Sequence, residues 1–200
     1  AVLPPPAGPS PCWLYNDGGP ILRVREGEPF RATLVNRLPE HSVIHWHGIR
    51  VPNAMDGVPW ITQRPVAPGE SFTYEFSPPD AGSFFFHPHC NSVEQLGRGL
   101  FGILIVDEAL PPPFAADVIC AARDWNLDPT GAFLPLSTSA GAARAGTFGN
   151  IHTVNGEQEP VLDVPAGGWA RLRVMNPDMR RIMAISVIDA EAWVAATDGN

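Results

Sequence analysis

Prolines and glycines interrupt this chain too often for a long helix to form. The 200 residues include 23 prolines and 19 glycines, spread from end to end. Each proline removes a backbone donor, and glycine inside an element weakens it. The chain is therefore read as all-β, short strands joined by turns. From residue 12 to 107, β-type runs at 21–25, 30–36, 43–51, 71–76, 83–89 and 102–107 alternate with turn clusters such as Asn16-Asp17-Gly18-Gly19 and Ala67-Pro68-Gly69. That alternation is the pattern of a β-sandwich. Residues 1–11 are too poor in large apolar side chains to pack and read as an extended arm.

Composition excludes several function classes. All 13 basic residues are arginines, set against 21 acids, for a net charge of -8. With no basic cluster, a nucleic-acid partner is not expected. The longest apolar run, residues 100–106, falls well short of the roughly 18 residues of a membrane span. The three cysteines, Cys12, Cys90 and Cys120, show no Cys-x-x-Cys spacing and allow at most one disulfide. The opening Ala1-Val2-Leu3-Pro4-Pro5-Pro6, without methionine, reads as a mature end left by processing, so a periplasmic or secreted location is expected.

A degenerate repeat organises the chain. Residues 20–36 align with residues 160–176 at a constant offset of 140, with identities at Pro20/Pro160, Leu22/Leu162, Val24/Val164, Gly27/Gly167, Arg31/Arg171 and Asn36/Asn176. Two copies of one sandwich are implied. Pro111-Pro112-Pro113 stops any strand between them. The expected division is a complete domain at 12–109 and the start of a related one at 110–200, with residues 137–149 forming a surface loop. Too few residues follow 117 to complete the second copy, so the chain is expected to stop in mid-domain.

The chemistry lies in His45-Trp46-His47 and His87-Pro88-His89, which hold four of the six histidines. Along a strand, residues i and i+2 share a face, so each pair presents two imidazoles on one side and Trp46 or Pro88 on the other. If the two strands are neighbours, four neutral nitrogen donors converge, a set suited to copper, zinc or iron.

The flanking residues narrow the choice. His45-Trp46-His47-Gly48, Met55-Asp56-Gly57-Val58-Pro59, Thr62-Gln63, the run from Gly82 through His89, and the run from Gly99 through Val106 together resemble the amino-terminal half of a multicopper oxidase. The resemblance extends to the closing Thr197-Asp198-Gly199. It implies a cupredoxin-like Greek-key fold and a copper enzyme of laccase type. Such an enzyme takes electrons singly from a phenolic or similar donor and reduces dioxygen to water at a trinuclear cluster. It further implies that His45 serves the type 2 copper and that His47, His87 and His89 serve the type 3 pair. The other four cluster ligands and the mononuclear copper would come from a carboxy-terminal cupredoxin region or a partner chain, leaving residues 1–200 alone catalytically silent. At offset 140, His45 and His47 fall on Ile185 and Val187, so the second copy carries no ligands there. A ligand-free second copy is similar to the middle domain of a three-domain laccase-like arrangement.

Asp56 has two readings. As part of an Asp-Gly turn it bonds its own backbone; by the resemblance it relays protons beside the water-bearing copper. Cys90 follows a proposed ligand but points away from it by alternation and reads as structural. His41 and His152 read as exposed, and Trp46 with Phe84 to Phe86 as core packing. Gln95 arrives two residues later after the second His-x-His pair than in many laccases. Two other functions stand beside the laccase-like one: an oxidase of cuprous or other metal ions, and a non-catalytic cupredoxin-like binding or scaffold protein.

Overall fold

The computed structural model describes residues 11–16, 18, 20–144 and 146–197. Apart from Pro11, the expected arm lies outside the described residues, as do Asp17, Gly19 and the end from Asp198 to Asn200. The chain forms two compact units, Trp13–Pro111 and, with Cys12, Pro112–Ala195.

The first unit is a sandwich of two sheets. One runs in the order β1 (Ile21–Arg25), β6 (Gly102–Asp107), β5 (Gly82–His87), β3 (His45–His47); the other pairs β2 (Phe30–Val35) with β4 (Ser71–Phe76). All pairings are antiparallel except β1 with β6. Period-two alternation sends Leu34, Trp46, Tyr74, Phe76, Phe84, Phe86, Leu104 and Val106 into one core between the sheets. Each such side chain contributes about 1.5–3 kcal/mol through burial. β6 has a partner on each edge, and its stretch from Gly102 to Val106 is buried throughout.

Strand β3 is shorter than the expected 43–51. It pairs only with β5, and Gly48 at φ +84° ends it. What it lacks in length it gains in anchorage: Trp46 lies 1% exposed among Phe30, Tyr74, Phe76 and Phe86, with ring centroids 5.1–5.6 Å away. The Ile44 amide also donates to the Tyr74 hydroxyl at 2.8 Å. Strand β5 likewise stops at His87, short of the expected 89, because Pro88 has no N–H to continue the ladder.

In the second unit β7 (Ala116–Trp125) pairs antiparallel with β8 (Ile151–Val154) and parallel with β9 (Ala170–Met175). Asp117 on β7 accepts from Arg171 at 2.8 Å and from Arg173 at 2.7 Å on β9. Trp125, Leu127 and Ile151 form a small core. Buried Asp124 accepts from Gly149 at 2.8 Å and from Arg180 at 2.6 Å, so the buried carboxylate is paired. The expected loop at 137–149 contains one helical turn, α2 (Ser139–Ala142), whose Gly141 amide donates to the Thr138 hydroxyl.

The repeat is visible in the backbone but incompletely. β9 lies 140 residues after β2 at both ends. Residues 161–165, the counterparts of β1, form no strand, and Val161 is 86% exposed. β1 is a strand because β6 receives it; among the described residues of the second unit no equivalent of β6 exists.

Candidate metal centre

The β3–β5 ladder builds the site. Its register pairs His45 with His87, Trp46 with Phe86 and His47 with Phe85. Directly opposed residues share a face, so Trp46 and Phe86 enter the core while His45, His47, Phe85 and His87 stand together on the other side. His89 follows after Pro88, beyond the strand. The structure brings all four imidazoles together: the His45 ring lies 5.7 Å from His47, 5.4 Å from His87 and 4.8 Å from His89. His87 lies 5.3 Å from His47 and 5.5 Å from His89. One donor atom each from His45, His87 and His89 falls within 4.8 Å of the others.

Backbone carbonyls set the protonation of two rings. His45 Nδ1 is 2.8 Å from the Asp56 carbonyl and His87 Nδ1 is 3.0 Å from the Pro88 carbonyl. A carbonyl only accepts, so both Nδ1 atoms carry hydrogen and both Nε2 atoms hold lone pairs. His47 Nδ1 faces His87 Nε2 at 3.1 Å and, by elimination, donates to it. Burial, followed by the His87 hydrogen bond to Pro88 acting in opposition and by repulsion from the three other imidazoles, leaves the His87 pKa lowered to about 4. The pKa of His89 is also lowered, by burial first and then by His45, with Asp56 opposing. Converging imidazoles whose Nε2 atoms carry lone pairs are the donors a borderline-soft cation requires, so the donor set fits copper.

Asp56 closes one side. It follows a single 3-10 turn (Asn53–Met55), and its carboxylate Oδ1 lies 3.4 Å from His45 Nδ1. Gly57 makes this approach possible: at φ +77° its Cα sits so close to β3 that a Cβ would lie 1.8 Å from the Ile44 carbonyl oxygen.

Phe85 belongs to the site as well as to the strand. Core packing is expected of Phe84 to Phe86 together, yet only Phe84 and Phe86 lie in the core. Phe85 stacks on His47 at 4.4 Å and 20°, and on His87 at 5.2 Å and 23°. Strict period-two counting from His87 carries the signal that would have found it.

The remaining candidates stand apart. His41 and His152 are exposed, and neither joins the cluster. Cys90 is half-buried; burial and then the Glu40 charge raise its thiol pKa, which disfavours a thiolate ligand. No disulfide links Cys12, Cys90 and Cys120 among the described residues.

Comparison with known proteins agrees with the fold and the motifs. The family model described as multicopper oxidase matches residues 3–110. A multi-copper oxidase from Pseudomonas thermotolerans is 46% identical in sequence and superposes with a TM-score of 0.83 over 86% of this chain and 43% of that one. Copper resistance protein A of Escherichia coli is 39% identical over 110 residues, 54% of this chain and 18% of that protein. Laccase-2 of Cryptococcus neoformans var. grubii is 29% identical over 208 residues, 90% of this chain and 35% of that protein. The chain belongs to the multicopper oxidase family, a family of copper-binding oxidoreductases, and its all-β sandwich is of the cupredoxin-like kind. It spans less than half the length of each of these relatives. No helix among the described residues is long and apolar enough to cross a membrane.

Proposed function

We infer that the protein couples one-electron oxidation of a donor to four-electron reduction of dioxygen to water, and that this chain supplies half of a trinuclear copper cluster. The observation carrying this reading is the convergence of four imidazoles on one face of the sandwich, with His45 and His87 held in the tautomer that puts the lone pair on Nε2. His45 is assigned to the type 2 copper, and His47, His87 and His89 to the type 3 pair. Copper bound there would supply the electron transfer and oxygen reduction. The chain's own residues orient donors and handle protons. His45 and His87 hold their Nδ1 protons on backbone carbonyls, Phe85 limits rotation of the His47 ring, and Trp46 pins the strand from below. Reducing one dioxygen to two waters consumes four protons, and the Asp56 carboxylate, 3.4 Å from His45 Nδ1, is the group assigned to relay them.

Residues 12–109 are assigned as the complete cupredoxin-like domain and 110–200 as the start of a second without copper ligands. Exposed Ile185 and Val187 at the positions matching His45 and His47 support this. The remaining ligands, the mononuclear copper and the rest of the second domain belong to a carboxy-terminal cupredoxin region or a partner chain. The likeness to Laccase-2 makes a phenolic or similar donor the favoured substrate. The similarity to copper resistance protein A supports cuprous-ion oxidation as the second reading. Retention of all four histidines argues against a non-catalytic scaffold. A periplasmic or secreted location forms part of the same proposal, resting on the family resemblance.

The test uses the protein expressed from its complete gene. His47→Ala and His89→Ala should abolish oxygen uptake while a blue mononuclear site keeps its colour. Unchanged turnover in either variant would remove the ligand assignment, and comparison of phenolic with cuprous donors in the parent protein separates the two substrate readings.

A further inference from the structure

Strand pairing places three of the four imidazoles and leaves the fourth to something else. The β3–β5 register runs from His47 opposite Phe85 to His45 opposite His87, which fixes His45, His47 and His87. His89 lies past that register, in the short stretch leading to α1 (Ser92–Gly97). Its position therefore depends on how α1 is held. A six-residue helix is too short to sustain itself, and α1 begins after left-handed Asn91 with no side-chain cap.

Gln95 fastens that helix. Its side chain is 0% exposed and makes three hydrogen bonds to three consecutive residues. Nε2 donates to Glu40 Oε1 and to the His41 carbonyl, each at 2.7 Å, and Oε1 accepts from the Ser42 hydroxyl at 2.8 Å. Asn91 adds a second strap, its Nδ2 lying 3.2 and 3.1 Å from the two Glu40 oxygens. Residues 40–42 are themselves secured, since the backbones of Ser42 and Val66 exchange bonds at 3.0 and 2.9 Å. They lead directly to β3, so one buried carboxamide joins the helix after the second histidine pair to the segment before the first.

We propose that Gln95 is a positioning residue of the metal centre, locking α1 onto Glu40-His41-Ser42 and thereby holding His89 against His45. The inference rests on the copper reading given above. A buried carboxamide is satisfied only in a narrow arrangement, because a lost partner leaves desolvated groups unpaired. That constraint gives the stretch between Pro88 and Ser92 a fixed end that neither the ladder nor α1 alone provides. It also accounts for the spacing of Gln95 from His89: the distance is set by the first turn of the helix and the reach back to Ser42.

The experiment is a double-mutant cycle in the copper-loaded protein expressed from its complete gene. Gln95→Leu, His89→Ala and the double variant are compared for copper content and for the rate of copper loss to a strong chelator. Gln95→Leu should speed loss about tenfold or more, the scale for residues that orient a metal ligand. The double variant should lose copper no faster than His89→Ala alone, while Gln95→Leu should still accelerate loss in a His47→Ala background. If His89→Ala itself leaves copper content and loss unchanged, the copper reading fails. If His89→Ala accelerates loss but Gln95→Leu does not, or adds its full effect on top of it, the positioning role is overturned and the copper reading stands. Should Gln95→Leu not fold, Ser42→Ala removes the donor to Gln95 Oε1 and runs the same cycle: a smaller acceleration that disappears with His89→Ala supports the role, and an additive one overturns it.

Discussion

Replacing Gly57 by alanine separates backbone conformation from site geometry, because the molecule contains its own control. Gly57 and Gly69 have nearly the same left-handed backbone, φ +77° and +82°, but a Cβ at Gly69 would meet nothing within 4 Å. At Gly57 it would lie 1.8 Å from the Ile44 oxygen, 2.5 Å from the Ile44 carbonyl carbon and 2.9 Å from the His45 nitrogen. Alanine in this conformation costs about 1–2 kcal/mol at either site. At Gly57 the neighbouring backbone must also retreat by more than about 1 Å, and overpacking of that kind adds about 1–3 kcal/mol. The atoms that retreat belong to Ile44 and His45, so the 2.8 Å contact between His45 Nδ1 and the Asp56 carbonyl is lost with them. Gly57→Ala should therefore melt at least about 4 °C below Gly69→Ala, at roughly 4–8 °C per kcal/mol for a domain of this size. The first should lose copper readily and the second should retain it. Melting is followed by calorimetry of the copper-free protein and copper by atomic absorption. Equal melting temperatures and equal copper contents would refute the close-approach argument.

Three other outcomes follow from the same geometry. Asp56→Asn keeps shape but cannot exchange a proton at working pH, so reoxidation by dioxygen, read by stopped flow, should slow by about 100-fold with copper content intact; parent kinetics would return Asp56 to a turn residue. Phe85→Leu should loosen the His47 ring and speed copper loss with little change in melting, because Phe85 stacks on the site and lies outside the core; a large fall in melting with unchanged copper retention would contradict that placement. Burial alone would raise the Asp117 pKa, but hydrogen bonds from Arg173 and Arg171 hold it well below the usual carboxylate range. Its contribution is therefore present above the unfolded value of about 4 and is lost only as pH falls toward the depressed folded value. Asp117→Asn should lower stability at pH 7 by about 2 kcal/mol and flatten the acid limb of the pH–stability curve, which denaturant titration would detect.

Features that depend on local pattern were legible in the sequence, and features that depend on a distant partner were not. The strands of the first unit follow from alternation between turn clusters, and the two His-x-His pairs follow from period two. Strand ends depart from the sequence pattern where pairing stops before propensity does: β3 ends at His47 although Ile49 and Val51 continue the apolar pattern. Residues 161–165 repeat the Leu-x-Val of β1 and remain coil, which shows that propensity without a neighbouring edge does not make a strand here. Gln95 could be noticed by its spacing, but its role depends on residues 53–55 positions away, a relation no local window contains.

The parallel pairing of β1 with β6 carries a consequence for synthesis. Ile21 lies opposite Ile103, so 82 residues separate the two halves of that ladder. At about 5–20 residues per second, translation leaves β1 without its partner for roughly 4–16 s after it emerges. Late in that interval β2 can meet β4 once residue 76 is made, and β3 can find β5 after residue 87, while the Leu22–Val24 edge stays open to any other strand. The step that seals the sheet is thus a matter of timing as much as of affinity, and slowed elongation before Gly102 lengthens the window in which the nascent chain is vulnerable to misassembly.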